Sequence, residues 1–215
     1  MATLNVVIAD DHPIVLLGVR ELIERDQRFR VVGEAVCSND LIDLLKTQKV
    51  DLAITDFNMP GDSPYGDGLR LVEYLRRHFP EVQILLLTMI SIPLILTRVH
   101  ELGVAGVIQK NQLHNDIQTA LTAIAEGRPF VSAMPAPTCV KTPNVALSDR
   151  LAALTLKEFE VLRMYVFGQS VSEIARSQSR SVKTISGQKN SAMRKLEVST
   201  DQDLMAYCLE NNIFS

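Results

Sequence analysis

Five side chains in this 215-residue sequence have the types and the placement for phosphoryl chemistry: Asp10, Asp11, Asp56, Thr88 and Lys110. Each falls at or just past the end of a short apolar run. Carboxylates gathered at one place repel unless a cation neutralises them. An all-oxygen donor set suits Mg²⁺, which takes a few protein oxygens, keeps waters and binds phosphate. A carboxylate beside such an ion can attack a phosphoryl donor and become an aspartyl phosphate. Lys110 offers an ammonium against the charge on the transferring oxygens, and Thr88 offers a hydroxyl hydrogen bond. Taken singly, each Asp reads more simply as a turn or helix cap; the matching positions of the whole set point to a site.

A second group lies further on. Between Glu173 and Leu196, Arg176, Arg180, Lys183, Lys189, Arg194 and Lys195 face a single acid, Glu173 itself. A basic helical face is often only a solvated one. Here its cations alternate with Ile185, Met193 and Leu196 behind a short preceding helix, the pattern of a helix-turn-helix. Lys183, Thr184, Gly187, Gln188 and Lys189 would project from the early turns, with Arg180 just ahead of them. Lysine and arginine neutralise phosphates, and glutamine can read a base edge.

The elements that must hold the first group alternate in type. Apolar runs at Leu4–Ala9, 31–33, Asp51–Thr55, Ile84–Leu87 and Ala105–Ile108 read as strands. Helical spacing follows each of them, opened at Pro13 in the first case and closed by Gly103 and Gly127 in the last two. Five strand–helix units imply a parallel sheet, whose ligands sit at the carboxyl ends of the strands. Residues 128–150, with Pro129, Pro135, Pro137 and Pro143, read as a linker. From Leu151 to Ser215 only helical periodicity remains. Thr155 with Glu158 forms a capping-box start, and Ser170, Ser181 and Asp201 can begin three further helices.

Composition supports two units of different character. The net charge of −3 hides an acidic front, with 12 cationic against 17 acidic residues in positions 1–130, and a slightly basic back, with 10 against 8. A duplex partner is expected for the back alone. No run of about 18 apolar residues is present, so no membrane span is expected. Nor does the N-terminus read as a secretory signal. Cys37, Cys139 and Cys208 lack metal spacing and read as free thiols of a cytoplasmic protein.

Residues 4–127 resemble a receiver domain of two-component signalling, on Asp10-Asp11, Asp56 with Met59-Pro60, Leu87-Thr88 and Lys110. The resemblance implies a five-stranded, doubly wound parallel α/β sheet of flavodoxin-like type over residues 1–127. It implies that Asp56 accepts phosphate from a histidine kinase or phosphotransfer protein. Mg²⁺ would be held by Asp10, Asp11, Asp56 and the backbone carbonyl of Asn58. Thr88 matches the switch threonine and Lys110 the phosphate-binding lysine. Two features depart from the common pattern. The segment from Gly61 to Gly68 is long, and Val107 stands at a switch position that is often aromatic.

Residues 151–211 resemble the LuxR-type helix-turn-helix of the NarL/FixJ class of response regulators. The carrying residues include Leu154-Thr155, Glu158, Gly168, Glu173-Ile174-Ala175, Lys183-Thr184 and Lys195-Leu196-Glu197-Val198. This implies a small all-α domain of four helices over 151–215. Gln188 stands where histidine is common, and Gln178 where a buried leucine is usual. Leu204 and Tyr207 suit either the dimer contact of the class or plain packing.

Together these readings give a cytoplasmic transcription regulator. Phosphorylation of Asp56 is expected to control homodimerisation and sequence-specific binding of double-stranded DNA. Two alternatives stand beside it. One is an auxiliary regulator acting through heterodimers whatever its phosphate state. The other is a phosphatase with an aspartyl-phosphate intermediate. Such enzymes resemble Asp-x-Asp at the nucleophile, whereas Asp56 is followed by Phe57-Asn58, so no enzyme is expected.

Overall fold

The computed structural model describes residues 3–59, 64–90, 93–131, 150–151, 153–211 and 213–214. The chain divides near residue 133 into two compact units. The first holds strands β1 (Leu4–Ala9), β2 (Phe29–Ala35), β3 (Leu52–Asp56), β4 (Gln83–Thr88), β5 (Gly106–Gln109) and β6 (Phe130–Val131). Helices α1 (Pro13–Glu24), α2 (Ser38–Thr47), α3 (Gly68–His78), α4 (Pro93–Glu101) and α5 (Leu113–Ala125) join them. Val6, Val7, Ile8 and Ala9 of β1 are all buried. That is the signature of a parallel strand covered on both faces. Pro13 opens α1 in its first turn, where a missing N–H costs nothing. Leu16, Val19, Leu22 and Ile23 then form the helix's buried stripe.

All strands pair in parallel, in the order β2-β1-β3-β4-β5-β6. From β1 the chain steps to β2 on one side and then to β3 on the other. The order therefore reverses between β1 and β3, and the crevice lies outside their carboxyl ends. Asp10 follows β1, Asp56 ends β3, Thr88 ends β4 and Lys110 follows β5. The sheet delivers the expected residues to one edge.

One boundary differs from expectation. Within the span expected to be linker, Phe130–Val131 joins the sheet as a sixth, two-residue strand. Gly127 takes φ +70 and turns the chain back. Phe130 is buried in the same core as Ile108 and Ala120, and its N–H donates to the Ala105 carbonyl at 2.6 Å. Gly106 makes this approach feasible, since a Cβ there would lie 2.7 Å from the Phe130 carbonyl oxygen. Gly106→Ala is expected to push β6 off the edge and lower stability by about 1–3 kcal/mol, the usual range for overpacking. Chemical denaturation checks it, with faster amide exchange at Phe130 as the local mark; an unchanged midpoint would clear Gly106 of that role. The rest of the expected linker, with Pro135, Pro137, Pro143 and Cys139, lies outside the described residues.

The second unit is helical: α6 (Leu156–Val166), α7 (Val171–Ser177), α8 (Val182–Leu196) and α9 (Asp201–Glu210). Its starts are set by side-chain caps. Thr155, Ser170 and Ser181 cap α6, α7 and α8 as their spacing predicts. For α9 the cap is Thr200, with Asp203 completing a box, and Asp201 is the first helical residue. Ser179 at φ 52 makes the turn between α7 and α8. Val161, Met164, Ile174, Ala175 and Ile185 pack the centre. Gln178 does not disturb this packing, since its amide reaches the Met164 sulfur at 4.0 Å.

Glu158 ties two of these helices together. It accepts from the Thr155 N–H at 2.7 Å and from the Lys195 ammonium of α8 at 2.7 Å. Burial pushes its carboxyl up, but Lys195, Thr155 and Ser191 outweigh burial and bring it from an ordinary 4.5 down to about 2. A depressed carboxylate contributes stability above its unfolded value and loses it as pH falls through the folded one. The helical unit should therefore lose about 2 kcal/mol between roughly pH 4.5 and 2, allowing for solvent screening at Lys195. Thermal melts across that window measure it, and Glu158→Gln should flatten the drop. An undiminished acid drop in the variant would assign it to other groups.

Candidate functional site

At the sheet edge, a single ammonium joins two strand ends. The Lys110 Nζ lies 2.7 Å from Oδ2 of Asp10 and 3.1 Å from Oδ2 of Asp56. Asp10, Asp56 and Thr88 are buried. Burial dominates the Asp56 carboxyl and lifts it from 3.8 to about 6. Lys110 opposes that rise, the Asp10 charge adds to it, and hydrogen bonds from Lys110 and the Asn58 N–H pull it back. For Lys110, burial favours the neutral amine, yet Asp56 and Asp10 prevail and hold its pKa above the ordinary value. Leu87 pairs with Asp56 in register, which places Thr88 one residue beyond at the same edge. Val107 is buried in β5, between Leu86 and Val131 in the neighbouring strands. Asn58 is half-buried two residues past Asp56.

The structure adds a residue to this edge. His12 Nδ1 stands 2.8 Å from Asp11 and 3.2 Å from Asp10, and the three residues' potential ligand atoms lie within 4.8 Å of one another. The His12 backbone N–H also donates to Asp10 Oδ1 at 2.9 Å. Position 12 carried a signal, since a side chain following the acidic pair also reaches the edge. As for a metal, one ammonium is shared between two buried carboxylates, with Asp11 beside them. This edge keeps uncompensated negative charge on oxygen donors, which fits a hard divalent cation.

In the helical unit, α8 has two distinct faces. Ile185, Lys189, Ala192, Met193 and Leu196 are buried. Lys183, Thr184, Gly187, Asn190 and Arg194 are exposed, and their spacing puts them on one stripe. Arg180 is exposed in the preceding turn, and nothing lies within 4 Å of a Cβ built on Gly187. The stripe is cationic at both ends with a flat centre, a shape that a nucleic-acid backbone can approach.

Two family models match the chain. One, described as response regulator receiver domain, matches residues 6–122, more than half of the chain. The other, described as bacterial regulatory proteins, luxR family, matches residues 152–208. This chain belongs to the response regulators. The transcriptional regulatory protein RcsB of Escherichia coli (strain K12) is 42% identical over 207 residues, covering 96% of this chain and 94% of the relative. A structure of two RcsB dimers bound to two parallel DNAs aligns with TM-score 0.77 and 41% identity, covering 95% of this chain and 98% of that one. RcsB from Salmonella enterica serovar Typhimurium, bound to promoter rprA in the presence of phosphomimetic BeF3-, aligns with TM-score 0.76 and 40% identity. That match covers 95% of this chain and 98% of the other. The relatives are transcriptional regulators, so the phosphatase alternative is set aside.

Within this response regulator, Lys189 and Gln188 sit differently from the expectation. Lys189 is not on the exposed stripe. It is 8% exposed, its Nζ lies 2.6 Å from Asp201 Oδ1, and it stands 4.1 Å over the Tyr165 ring. It lies four residues before Met193, so it shares that buried face. Gln188 is half-buried with its carboxamide oxygen shut off from solvent, whereas Asn190 is exposed. Asn190 is thus the amide on the stripe, and its position three residues after Gly187 was the available signal. Leu204 is core, fully buried, which is the packing alternative rather than a dimer contact; the large exposed apolar side chain of α9 is Leu209, at 66%. Tyr207 is half-buried with its hydroxyl enclosed. Lys195 also turns inward, to Glu158. Among the described residues, no helix is long and apolar enough to cross a membrane.

Proposed function

We infer that this response regulator stores a phosphoryl group on Asp56 and uses it to control dimerisation and duplex binding in the cytoplasm. The observation that carries the reading is Lys110 held between Asp10 and Asp56, in the same chain as the exposed stripe of α8. A carboxylate oxygen of Asp56 takes the phosphoryl group from a histidine kinase or phosphotransfer protein, and the donor's bond to phosphorus breaks as the new one forms. Asp10, Asp11, Asp56 and the Asn58 carbonyl would hold Mg²⁺, which when bound neutralises phosphoryl oxygens. Lys110 is already in place to pair with the added charge, and it gives up part of its interaction with Asp10 to do so. The Thr88 hydroxyl then hydrogen-bonds a phosphoryl oxygen, which draws the end of β4 inward. With Val107, two positions before Thr88's partner Gln109 in β5, in place of an aromatic side chain, no aromatic rotation accompanies that step. A two-state surface biased in this way favours a homodimer.

A dimer presents two copies of α8 to half-sites about one helical turn of DNA apart. Arg180, Lys183 and Arg194 meet phosphates, and Thr184, Gly187 and Asn190 approach base edges, with Gln188 behind them. The relatives support this reading, since RcsB is seen as dimers on DNA and bound to a promoter with a phosphate mimic. The test measures oligomeric state and duplex affinity of the full chain with Mg²⁺, with and without beryllofluoride. Dimerisation and a rise in affinity of at least tenfold are expected. Equal affinity in both states would overturn phosphate control and favour a partner-dependent regulator that binds as a heterodimer.

A further inference from the structure

We propose that Lys189 is a positioning residue, which fixes the recognition helix α8 against α6 and α9 through Asp201 and Tyr165. This rests on the duplex-binding reading of α8 and deepens it. The three side chains form a closed triangle. Lys189 Nζ donates to Asp201 Oδ1 at 2.6 Å, Tyr165 Oη donates to Asp201 Oδ2 at 2.7 Å, and the ammonium lies 4.1 Å over the Tyr165 ring. Each comes from a different helix: Tyr165 from α6, Lys189 from α8 and Asp201 from the first turn of α9. Ion pairing, a hydroxyl bond and a cation–π interaction therefore converge on one small cluster.

The arrangement has a directional consequence. An apolar residue at position 189 would bury its surface in several neighbouring orientations of α8, because hydrophobic contact is non-directional. An ammonium with little exposure must keep its partners, since an unpaired buried charge is costly. Sliding or rotating α8 stretches both Lys189 interactions at once. The opposite stripe, from Lys183 to Arg194, is then held in one orientation. Asp201 remains half exposed, at 51% of its side chain, so the pair is anchored in the core while its acid faces water.

A positioning lysine and a phosphate-binding lysine leave different marks. Removing a cation that neutralises a phosphate makes log K less steep against log salt by about 0.9, while disturbing orientation lowers K with the slope unchanged. Asp201 gives a contrast of opposite sign. Removing an acid near a duplex strengthens binding by simple charge, but removing it from the triangle weakens binding.

The experiment uses the full chain with a pool of random-sequence duplexes of about 30 base pairs, over a salt series. Circular dichroism first establishes that each variant is folded at the assay temperature. Lys189→Met and Asp201→Asn are each expected to weaken binding about fivefold to tenfold at unchanged salt slope. The double variant should be no weaker than either alone, and Asp201→Glu should recover most of the loss. Amide exchange along residues 183–190 supplies a readout that needs no DNA, and it should quicken in both single variants. A slope that falls by about one in Lys189→Met, tighter binding by Asp201→Asn, or unaltered exchange would each overturn the proposal. If Lys189→Met does not fold, Asp201→Asn and Tyr165→Phe decide it by the same measures. A parent chain that binds no duplex would sink the duplex-binding reading, while the exchange experiment would still judge the triangle.

Discussion

Asp56→Asn is expected to yield a chain that no longer gains a phosphoryl group and that resists unfolding better than its parent at neutral pH. Both effects have one cause. Asp56 is buried, and burial lifts its carboxyl from 3.8 to about 6 even with Lys110 3.1 Å away. Between those two values the folded state holds a proton that the unfolded state has released. A raised value contributes stability that is complete below the unfolded pKa and lost as pH rises through the folded one. Between roughly pH 4 and 7 the parent should therefore lose about 2–3 kcal/mol, at about 1.4 kcal/mol for each tenfold change in proton affinity. Asparagine keeps the shape and still accepts from Lys110, but carries no charge to desolvate. Melts in chelator should show the variant about 2 kcal/mol more stable near pH 7, with a flatter pH profile. Incubation with acetyl phosphate and Mg²⁺, read by intact mass, should show one added phosphoryl group in the parent and none in the variant. A variant that gains the same mass would place the acceptor elsewhere, and one that melts lower with the parent's pH profile would remove Asp56 as the titrating group.

The combined substitution Arg180→Ala, Lys183→Ala and Arg194→Ala should reduce duplex affinity by about 10²–10³-fold near 0.1 M salt, at about 1.4 kcal/mol per tenfold. All three side chains are exposed, so their removal leaves phosphates unneutralised without opening the core. Alanine also favours the helix at 183 and 194. The slope of log K against log salt should become shallower by about 2.7, or about 0.9 for each phosphate no longer neutralised. Lys195→Ala is the matched control. Its ammonium is committed to Glu158 at 2.7 Å, so it should lower stability and leave the slope alone. A triple variant with the parent's slope would move the duplex surface off α8. These outcomes also separate phosphate neutralisation from the orientation effect assigned to Lys189, where affinity falls at constant slope.

The receiver edge was readable because strand ends are marked twice in a sequence. Apolar runs such as Leu52–Thr55 stop at a polar residue, and parallel sheets collect those stops on one side. The helix starts at Thr155, Ser170 and Ser181 were readable for a similar reason, since capping is a bond between residues three apart. Phe130–Val131 was not. Nearby prolines read as a linker, and what makes this pair a strand is the bare edge of β5 and the absent side chain of Gly106, both distant in the chain. Lys189 misled for the same reason. A cation in a basic run reads as solvent-facing until its partner Asp201, on the next helix, is known.

Sequence alone therefore determined the two-domain plan, the four strand ends that gather the acidic edge and the helix that carries the basic face. Each of these rests on local periodicity, capping or residue type, which the chain carries wherever it is placed. Tertiary structure decided which charges are free. Lys110 is shared by two acids, Lys189 and Lys195 are spent inside the helical unit, and Arg180, Lys183 and Arg194 are left exposed. The physical reason is that a charge's role depends on what lies within a few ångströms of it and on how much water it keeps, and neither quantity exists until distant segments pack.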